Sequence, residues 1–425
     1  VNNILAPKDG KPITVPTQDM VLGAYYLTIF REGAKGEGRR FISFDEARLA
    51  YFNKDIALQA KIKVRVPNSE IYPEPSDVGE SLVTTSMGNI IYNCELPLEM
   101  RYYSKQEDGT WLLGKLIDKK ELGRLVAKAH KLYGNFGTAR VLDTVKKLGY
   151  DNACLSGLSI AASDIEIPKE KGEILAAAEK EVDKVERLFS RGLMSEDERY
   201  RKVIDIWNKA TEDVADALMK NTMDQFNPLF MMANSGARGN VQQIRQLAGM
   251  RGLMADTSGR TIELPIKSNF REGLQVLEYF MSAHGARKGM SDTALRTADS
   301  GYLTRRMVDV SQELSIREVD CCEGQAEIPG MVVKAFMDGK ETIEGLKDRI
   351  TGRYSCEDIY DKDGNMIVKH NHMITPSRAA KILSVGVNAQ GEPIEEVKIR
   401  TILTCRSHVG ICAKCYGANM ATGEA

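Results

Sequence analysis

Between residues 169 and 220 the apolar side chains keep a spacing that a helix can bury along one stripe. Leu175, Val182 and Phe189 fall seven residues apart, with Ala178 and Val185 between them. The stretch Ser190–Met194 interrupts the pattern, and Tyr200, Val203, Trp207, Ala210, Val214 and Ala217 resume it. Two amphipathic helices joined by so short a turn must fold back on each other, which predicts an antiparallel coiled-coil hairpin. Ser195 and Glu198 have capping-box spacing at the start of the returning helix. Such a hairpin either packs into a domain or protrudes as an arm that docks partners. Polar residues on its remaining faces favour protrusion.

A chain of 425 residues is several times the size of one hydrophobic core, so several structural units are expected. Hydrophobic residues at 43% and charged residues at 28% suit a globular, non-membrane protein. No apolar run approaches the roughly 18 residues of a membrane span. Val1–Leu5 has neither a starting Met nor a signal pattern, and both ends read as cut from a longer polypeptide. The first hundred residues mix elements. Ala60–Val66 alternates apolar and charged residues as a strand does, whereas Tyr25–Phe30 and Phe44–Phe52 read as helical. Lys119–Tyr133 and Thr138–Leu148 are further helical stretches. Met337–Lys340 and Asp361–Gly364 are turn signals, and the latter, without the full ligand pattern of a calcium loop, reads as a hairpin turn.

No proline occurs between Pro265 and Pro329, and Ser268–Gln312 is helix-compatible, with Ser268 or Asn269 as candidate N-cap. A helix of roughly 35 residues would span about 52 Å. Gly273, Gly285, Gly289 and Gly301 fall inside this stretch, and each costs about 1 kcal/mol against alanine in a helix interior. Either the stretch is two or three shorter helices, or it is one long helix made to bend or to admit a bulky ligand closely.

Cys405, Cys412 and Cys415 lie within eleven residues, the last two in the C-x2-C knuckle that lets two sulfurs reach one tetrahedral zinc. A fourth ligand must come from elsewhere: Cys321 or Cys322 by closure of a long loop, or His408 locally. Without a secretion signal, metal ligation is favoured over disulfides. A four-sulfur site would be a structural clamp with no open position for catalysis.

A formal net charge of −1 excludes a uniformly basic nucleic-acid coat, so any such role is regional. Arg238, Arg245 and Arg251 form one basic group. Residues 281–306 hold another, in which Arg287, Lys288, Arg296, Arg305 and Arg306 outnumber Asp292 and Asp299. Charge alone leaves open whether these contact phosphates or form a solvated helix face.

Met232–Gly239 and Gln243–Met254, followed by His284–Gly289 and Thr293–Arg306, resemble the segment leading into the bridge helix of bacterial RNA polymerase β′ subunits and the bridge helix itself. Asn2–Pro7 with Gln18–Gly23 resembles the β′ segment after the magnesium-binding loop, and Thr84–Gly88 with Asn93 the strand region that follows. Residues 169–220 resemble the rim hairpin of the secondary channel. Residues 95–115 and 325–400 resemble the family loosely.

The resemblance implies that Thr297 and Ala298 face the templating base pair, that Gly285 and Gly289 form a hinge, and that Arg238 and Arg245 lie near the incoming triphosphate. Arg287, Lys288 and Arg296 would contact nucleic acid. It assigns zinc to Cys321, Cys405, Cys412 and Cys415, although Cys322, a second thiol the family lacks, could substitute. Arg191, Glu196 and Arg201 would lie where secondary-channel regulatory or cleavage factors dock. No Asp-x-Asp-x-Asp cluster occurs in the sequence. The resemblance therefore places the catalytic Mg2+ in another part of the same subunit and the trigger loop beyond Ala425, leaving no catalytic residue of its own in this chain. Its implied partners are the β, α and ω subunits and σ factor, with template DNA, nascent RNA and NTPs, in a bacterial cytoplasm.

The expected fold is α+β and multi-domain. A mixed β/α segment at 1–111 precedes a helical region at 112–230 with its hairpin at 169–220. A loop region at 231–266, the bridge helix at 267–312 and a zinc-binding β-rich module at 313–425 follow. The implied activity is nucleotidyl transfer by the whole enzyme. The contrasting reading is a zinc-stabilised coiled-coil scaffold that binds proteins without catalysis.

Overall fold

The computed structural model describes residues 4–6, 10–71, 79–222, 224–323, 328–339, 341–361, 364–387 and 394–419. Asn2, Asn3, Pro7, Lys340, Lys362 and Asp363, named above in motifs and turns, lie outside them. The chain divides into two compact units: Thr14–Thr293, and Ala294–Ala425 together with Val1–Ile13.

In the larger unit, α1 (Asp19–Thr28) precedes β1 (Arg40–Phe41), α2 (Phe44–Phe52), β2 (Ile62–Pro67), β3 (Glu80–Thr85) and α3 (Met87–Cys94). β4 (Tyr103–Lys105) and β5 (Trp111–Leu113) complete a five-stranded sheet of order β1-β2-β3-β5-β4. β2 buries Ile62, Val64 and Val66 on alternate positions, as the period-two pattern requires, and pairs antiparallel with β3 from Ile62 opposite Thr85 to Pro67 opposite Glu80. α2 has the expected bounds because Ser43 caps it, accepting from the Glu46 N–H.

Two expectations are corrected here. The first helix begins at Asp19 rather than Tyr25, because Val21, Leu22 and Ala24 bury against α4 (Lys119–Ser156) and its neighbours. The residues after Thr85 are not strand. Ser86 accepts from the Asn89 N–H and starts α3, whose Ile90 and Tyr92 are fully buried. α4 joins the two predicted helical stretches across a break at Gly134 (φ 63°, ψ −164°), which lies in the left-handed φ region open to glycine. Leu122 and Leu125 before the break share one core with Val141 and Val145 after it.

The hairpin consists of α5 (Lys171–Ser190) and α6 (Glu196–Ala217). Ala178, Val185, Val203, Trp207 and Ala210 form its buried seam, with Leu175 and Val182 partly buried beside it. Phe189 leaves the seam and stacks under the Arg199 guanidinium, 5.2 Å from its ring centre. Ser195 caps α6 through the Glu198 N–H, but the Glu198 carboxylate pairs with Lys202 at 2.8 Å.

α7 (Pro228–Asn234) and α8 (Val241–Ala248) lead through a loop to α9 (Val276–Ser311), one continuous helix of 36 residues, about 54 Å long. The expected N-cap at Ser268 or Asn269 is wrong, and so is the placing of Gly273 inside the helix. Asn269 is buried and closes a turn instead: its Oδ1 accepts from Glu272 N, and its Nδ2 donates to the carbonyls of Ala248 and Gly249. Gly273 follows in that turn with φ +89°.

In the smaller unit, β6 (Ile316–Glu318), β7 (Met331–Lys334), β8 (Phe336–Asp338) and β9 (Glu341–Glu344) precede α10 (Leu346–Ile350). Then come β10 (Ile359–Asp361), β11 (Met366–Val368), α11 (Pro376–Val385), β12 (Gly386–Val387), β13 (Glu396–Ile399), β14 (Ile411–Cys412) and α12 (Ala413–Tyr416). The strands form small sheets, β11-β10-β12, β13-β7, β8-β9 and β14-β6, around a core that includes Leu346, Ile350, Ile374, Ile382 and Ile399. Both turn segments read from the sequence connect antiparallel pairs, β8 to β9 and β10 to β11. The whole is mixed α and β.

Candidate metal centre and basic surfaces

β6 and β14 run parallel, with Ile316 opposite Ile411 and Glu318 opposite Cys412. This pairing carries the turn at Cys321 to the distant knuckle. Gly410 permits it, because a side chain there would collide with the Ser315 carbonyl and its φ is +74°. The sulfurs of Cys321, Cys405, Cys412 and Cys415 all lie within 4.8 Å of one another. Four ligands at a Zn–S distance of about 2.3 Å stand about 3.8 Å apart in a tetrahedron. Cys321 and Cys415 are 3.8 Å apart. Backbone donors complete the knuckle: Cys412 N–H points at Cys405 Sγ and Cys415 N–H at Cys412 Sγ. The donor set therefore fits a thiophilic divalent ion with a closed coordination shell. His408 is exposed and outside the group, and so is the buried Cys322, whose Sγ lies 3.6 Å from that of Cys321.

Arg400 is fully buried against these sulfurs. Its Nη2 lies 3.3 Å from Cys415 Sγ and 3.5 Å from the sulfurs of Cys321 and Cys412, and donates to Asp320 Oδ1 at 2.8 Å. Nη1 donates to Asn371 Oδ1 at 2.8 Å. The second Asp320 oxygen accepts from Lys414 Nζ at 2.8 Å and Asn371 Nδ2 at 3.1 Å. Burial pushes the Asp320 carboxyl upward, but hydrogen bonds from Arg400 and Lys414 overcome it and hold the group far below the usual carboxylate range. Burial likewise raises Cys412, while N–H and thiol donors from Cys321 and Cys415 bring it down to about 7.

The basic residues occupy different settings. Arg238 is exposed in the turn after α7, and Arg245 is half-buried on α8. Arg251 stacks 5.0 Å from the Phe270 ring centre, and desolvation lowers its pKa. Along α9, at about 100° per residue, Gly285, Gly289 and Arg296 fall on one side. Arg287, Ala298 and Arg305 fall opposite, and Lys288 with Arg306 points a third way. The charges wrap the helix rather than forming one face. Arg287, Arg296, Thr297 and Ala298 are exposed. Lys288 donates to the Thr257 carbonyl at 2.8 Å, which ties the loop before α9 to the helix. At the hairpin end Arg191, Glu196 and Arg201 are all exposed.

Three consecutive family models match: RNA polymerase Rpb1 domain 3 over residues 3–165, domain 4 over 194–271 and domain 5 over 273–413. Along its whole length the chain is 54% identical to the DNA-directed RNA polymerase subunit beta′ of Lachnoclostridium phytofermentans. It is 53% identical to that of Pelotomaculum thermopropionicum and 52% to that of Alkaliphilus oremlandii, again over 100% of the chain. The chain belongs to the RNA polymerase β′ family. It spans 34%, 33% and 35% of the length of these three relatives.

Sequence reasoning missed several groups in this β′ family chain. Arg400, Asp320, Asn371 and Lys414 pack around the sulfurs, yet a lone Arg five residues before Cys405 carries no recognisable spacing. Three ion pairs that fasten the loop before α9 to the hairpin were equally silent. Arg199 holds Glu263 with two bonds of 2.6 and 3.0 Å, and Lys267–Glu179 and Lys171–Glu272 each close at 2.6 Å. Their partners lie 64 to 101 residues apart, beyond any local pattern. Among the described residues no helix is long and apolar enough to cross a membrane.

Proposed function

We propose that this chain forms the bridge-helix region of a bacterial RNA polymerase β′ subunit and positions template, RNA and incoming nucleotide for template-directed RNA synthesis in the cytoplasm. The observation that carries the reading is the helix α9. It is 36 residues long and exposed almost throughout, with large apolar side chains such as Leu277, Tyr279, Leu295, Tyr302 and Met307 facing solvent. A helix this apolar on its outer faces is made to be covered.

Its glycines support the same reading. Around Gly289 and Gly301 there is open space where a side chain would stand, and at Gly285 the nearest atom is 3.8 Å away. Packing within the chain therefore does not explain a cost of about 1 kcal/mol each. A helix that bends, or that takes a nucleic acid closely against it, does explain it. On this reading Thr297 and Ala298 stay small so that the nascent base pair stacks on the helix. Arg238 and Arg245 supply fixed positive charge toward the triphosphate, and Arg287, Lys288 and Arg296 contact the nucleic-acid backbone.

The exposed tip around Arg191, Glu196 and Arg201 docks regulatory or cleavage factors at the rim of the nucleotide-entry channel. The four cysteines hold Zn2+, which supplies a rigid clamp joining residues near 320 to those near 410. Catalytic Mg2+ is held by another part of the subunit, and β, α, ω and σ complete the enzyme. The segments 1–111, 112–230, 231–266, 267–312 and 313–425 are the functional divisions of this reading.

The test is elongation by polymerase assembled with full-length β′ carrying Ala298→Trp. A large ring at that position should cut the nucleotide-addition rate by at least tenfold while zinc content stays unchanged. Addition at the unsubstituted rate would contradict the reading and favour a non-catalytic scaffold.

A further inference from the structure

The groups packed around the four sulfurs do not balance in charge if the thiols are neutral. Arg400 and Lys414 bring two cations, and both draw on the one carboxylate of Asp320. Arg400 has no exposed surface, and Asp320 and Lys414 are 6% and 27% exposed. An uncompensated buried cation is expensive, and a neutral thiol is a poor acceptor for a guanidinium. Thiolates around a divalent ion change the sign of the problem: four sulfurs with one Zn2+ carry two net negative charges, which also need compensation when buried.

We propose that Arg400 is the counter-charge and positioning residue of the four-sulfur centre, holding Cys321, Cys412 and Cys415 at ligand spacing while it offsets the charge of the metal-bound thiolates. The inference rests on the reading of the four cysteines as a zinc site. Geometry supports it at each end of the side chain. One terminal nitrogen faces three of the four sulfurs at 3.3 to 3.5 Å. The other terminal nitrogen is fixed on Asn371, and the sulfur-facing nitrogen also donates to Asp320. Asp320 is itself anchored by Lys414, Asn371 and the Cys322 N–H at 3.0 Å. Because Asp320 directly precedes Cys321, the same carboxylate that orients the guanidinium also fixes the turn that presents the remote ligand. Partners of this kind around a metal shell are worth about 10- to 100-fold in metal affinity.

The experiment measures zinc content and the rate of zinc release to an excess of a chromogenic chelator, read from the colour of its zinc complex, on full-length protein carrying Arg400→Met, Arg400→Lys or Asp320→Asn. Methionine keeps much of the volume without the charge, whereas lysine keeps the charge without the fork. Release should accelerate at least tenfold in Arg400→Met, less in Arg400→Lys, and several-fold in Asp320→Asn. If Arg400 only fills space, methionine should serve at least as well as lysine. Release from Arg400→Met that is no faster than from Arg400→Lys therefore overturns the proposal. Should Arg400→Met be insoluble, unchanged release from Asp320→Asn and Arg400→Lys overturns it as well. Absence of zinc from the unsubstituted protein is a separate result, one that removes the zinc reading itself.

Discussion

Glu121 shows how a single charge is placed to serve one helix end. It lies in the first turn of α4, where Asp118 caps its N–H at 2.7 Å, and its side chain is 10% exposed between Lys115 and Arg124. Burial raises its pKa, but the bonds from Lys115 and Arg124 prevail and leave it lowered. A carboxyl with a depressed folded value adds stability above its ordinary pKa, near 4.5, and loses it as pH falls toward the folded value. Glu121→Gln should therefore lower the melting temperature at pH 7 and flatten its decline below pH 5; an unchanged acid limb would contradict this. At the sulfur cluster, Cys321→Ser should abolish zinc retention and Cys322→Ser preserve it, by metal analysis. Adjacency in sequence could not separate these two thiols. In the structure the Cys321 sulfur lies in the four-sulfur group and the buried Cys322 lies outside it.

At the scale of elements, three ion pairs cross between the hairpin and its neighbouring loop. The Arg199–Glu263 pair is the best built, bidentate with side chains 17% and 34% exposed. Arg199→Ala should cost roughly 1 kcal/mol locally and speed hydrogen exchange several-fold in residues 254–264, with no change in α4. The seam of the hairpin was legible because heptad spacing reports burial directly. The start of α9 was not, because Asn269 has the chemistry of an N-cap and spends it on a turn and on two carbonyls of the preceding segment. α3 was misread because Met87–Cys94 is too short for a clear period, and its helix depends on the Ser86 cap and on burial. Replacing Gly285 and Gly289 together by alanine should stiffen α9 by about 1 kcal/mol per site and slow translocation in the assembled enzyme. Elongation at the normal rate would argue against a hinge.

For the whole molecule, the resemblance to β′ subunits and the 54% identity to such a subunit along the whole of this chain agree on the family. What they leave to geometry is how remote segments meet: the parallel pairing of β6 with β14, the buried guanidinium among the sulfurs, and the loop tied to both hairpin and helix. None of these has a sequence period, since each depends on contacts between residues tens of positions apart. The most direct measurement is cross-linking from a photoreactive phenylalanine at Ala298 in assembled polymerase halted on a labelled template. The template strand should be captured at the base pairing with the incoming nucleotide, and not from the same probe at Phe136 on α4. No template adduct from position 298, or equal capture from position 136, would contradict the placing of α9 beside the templating base.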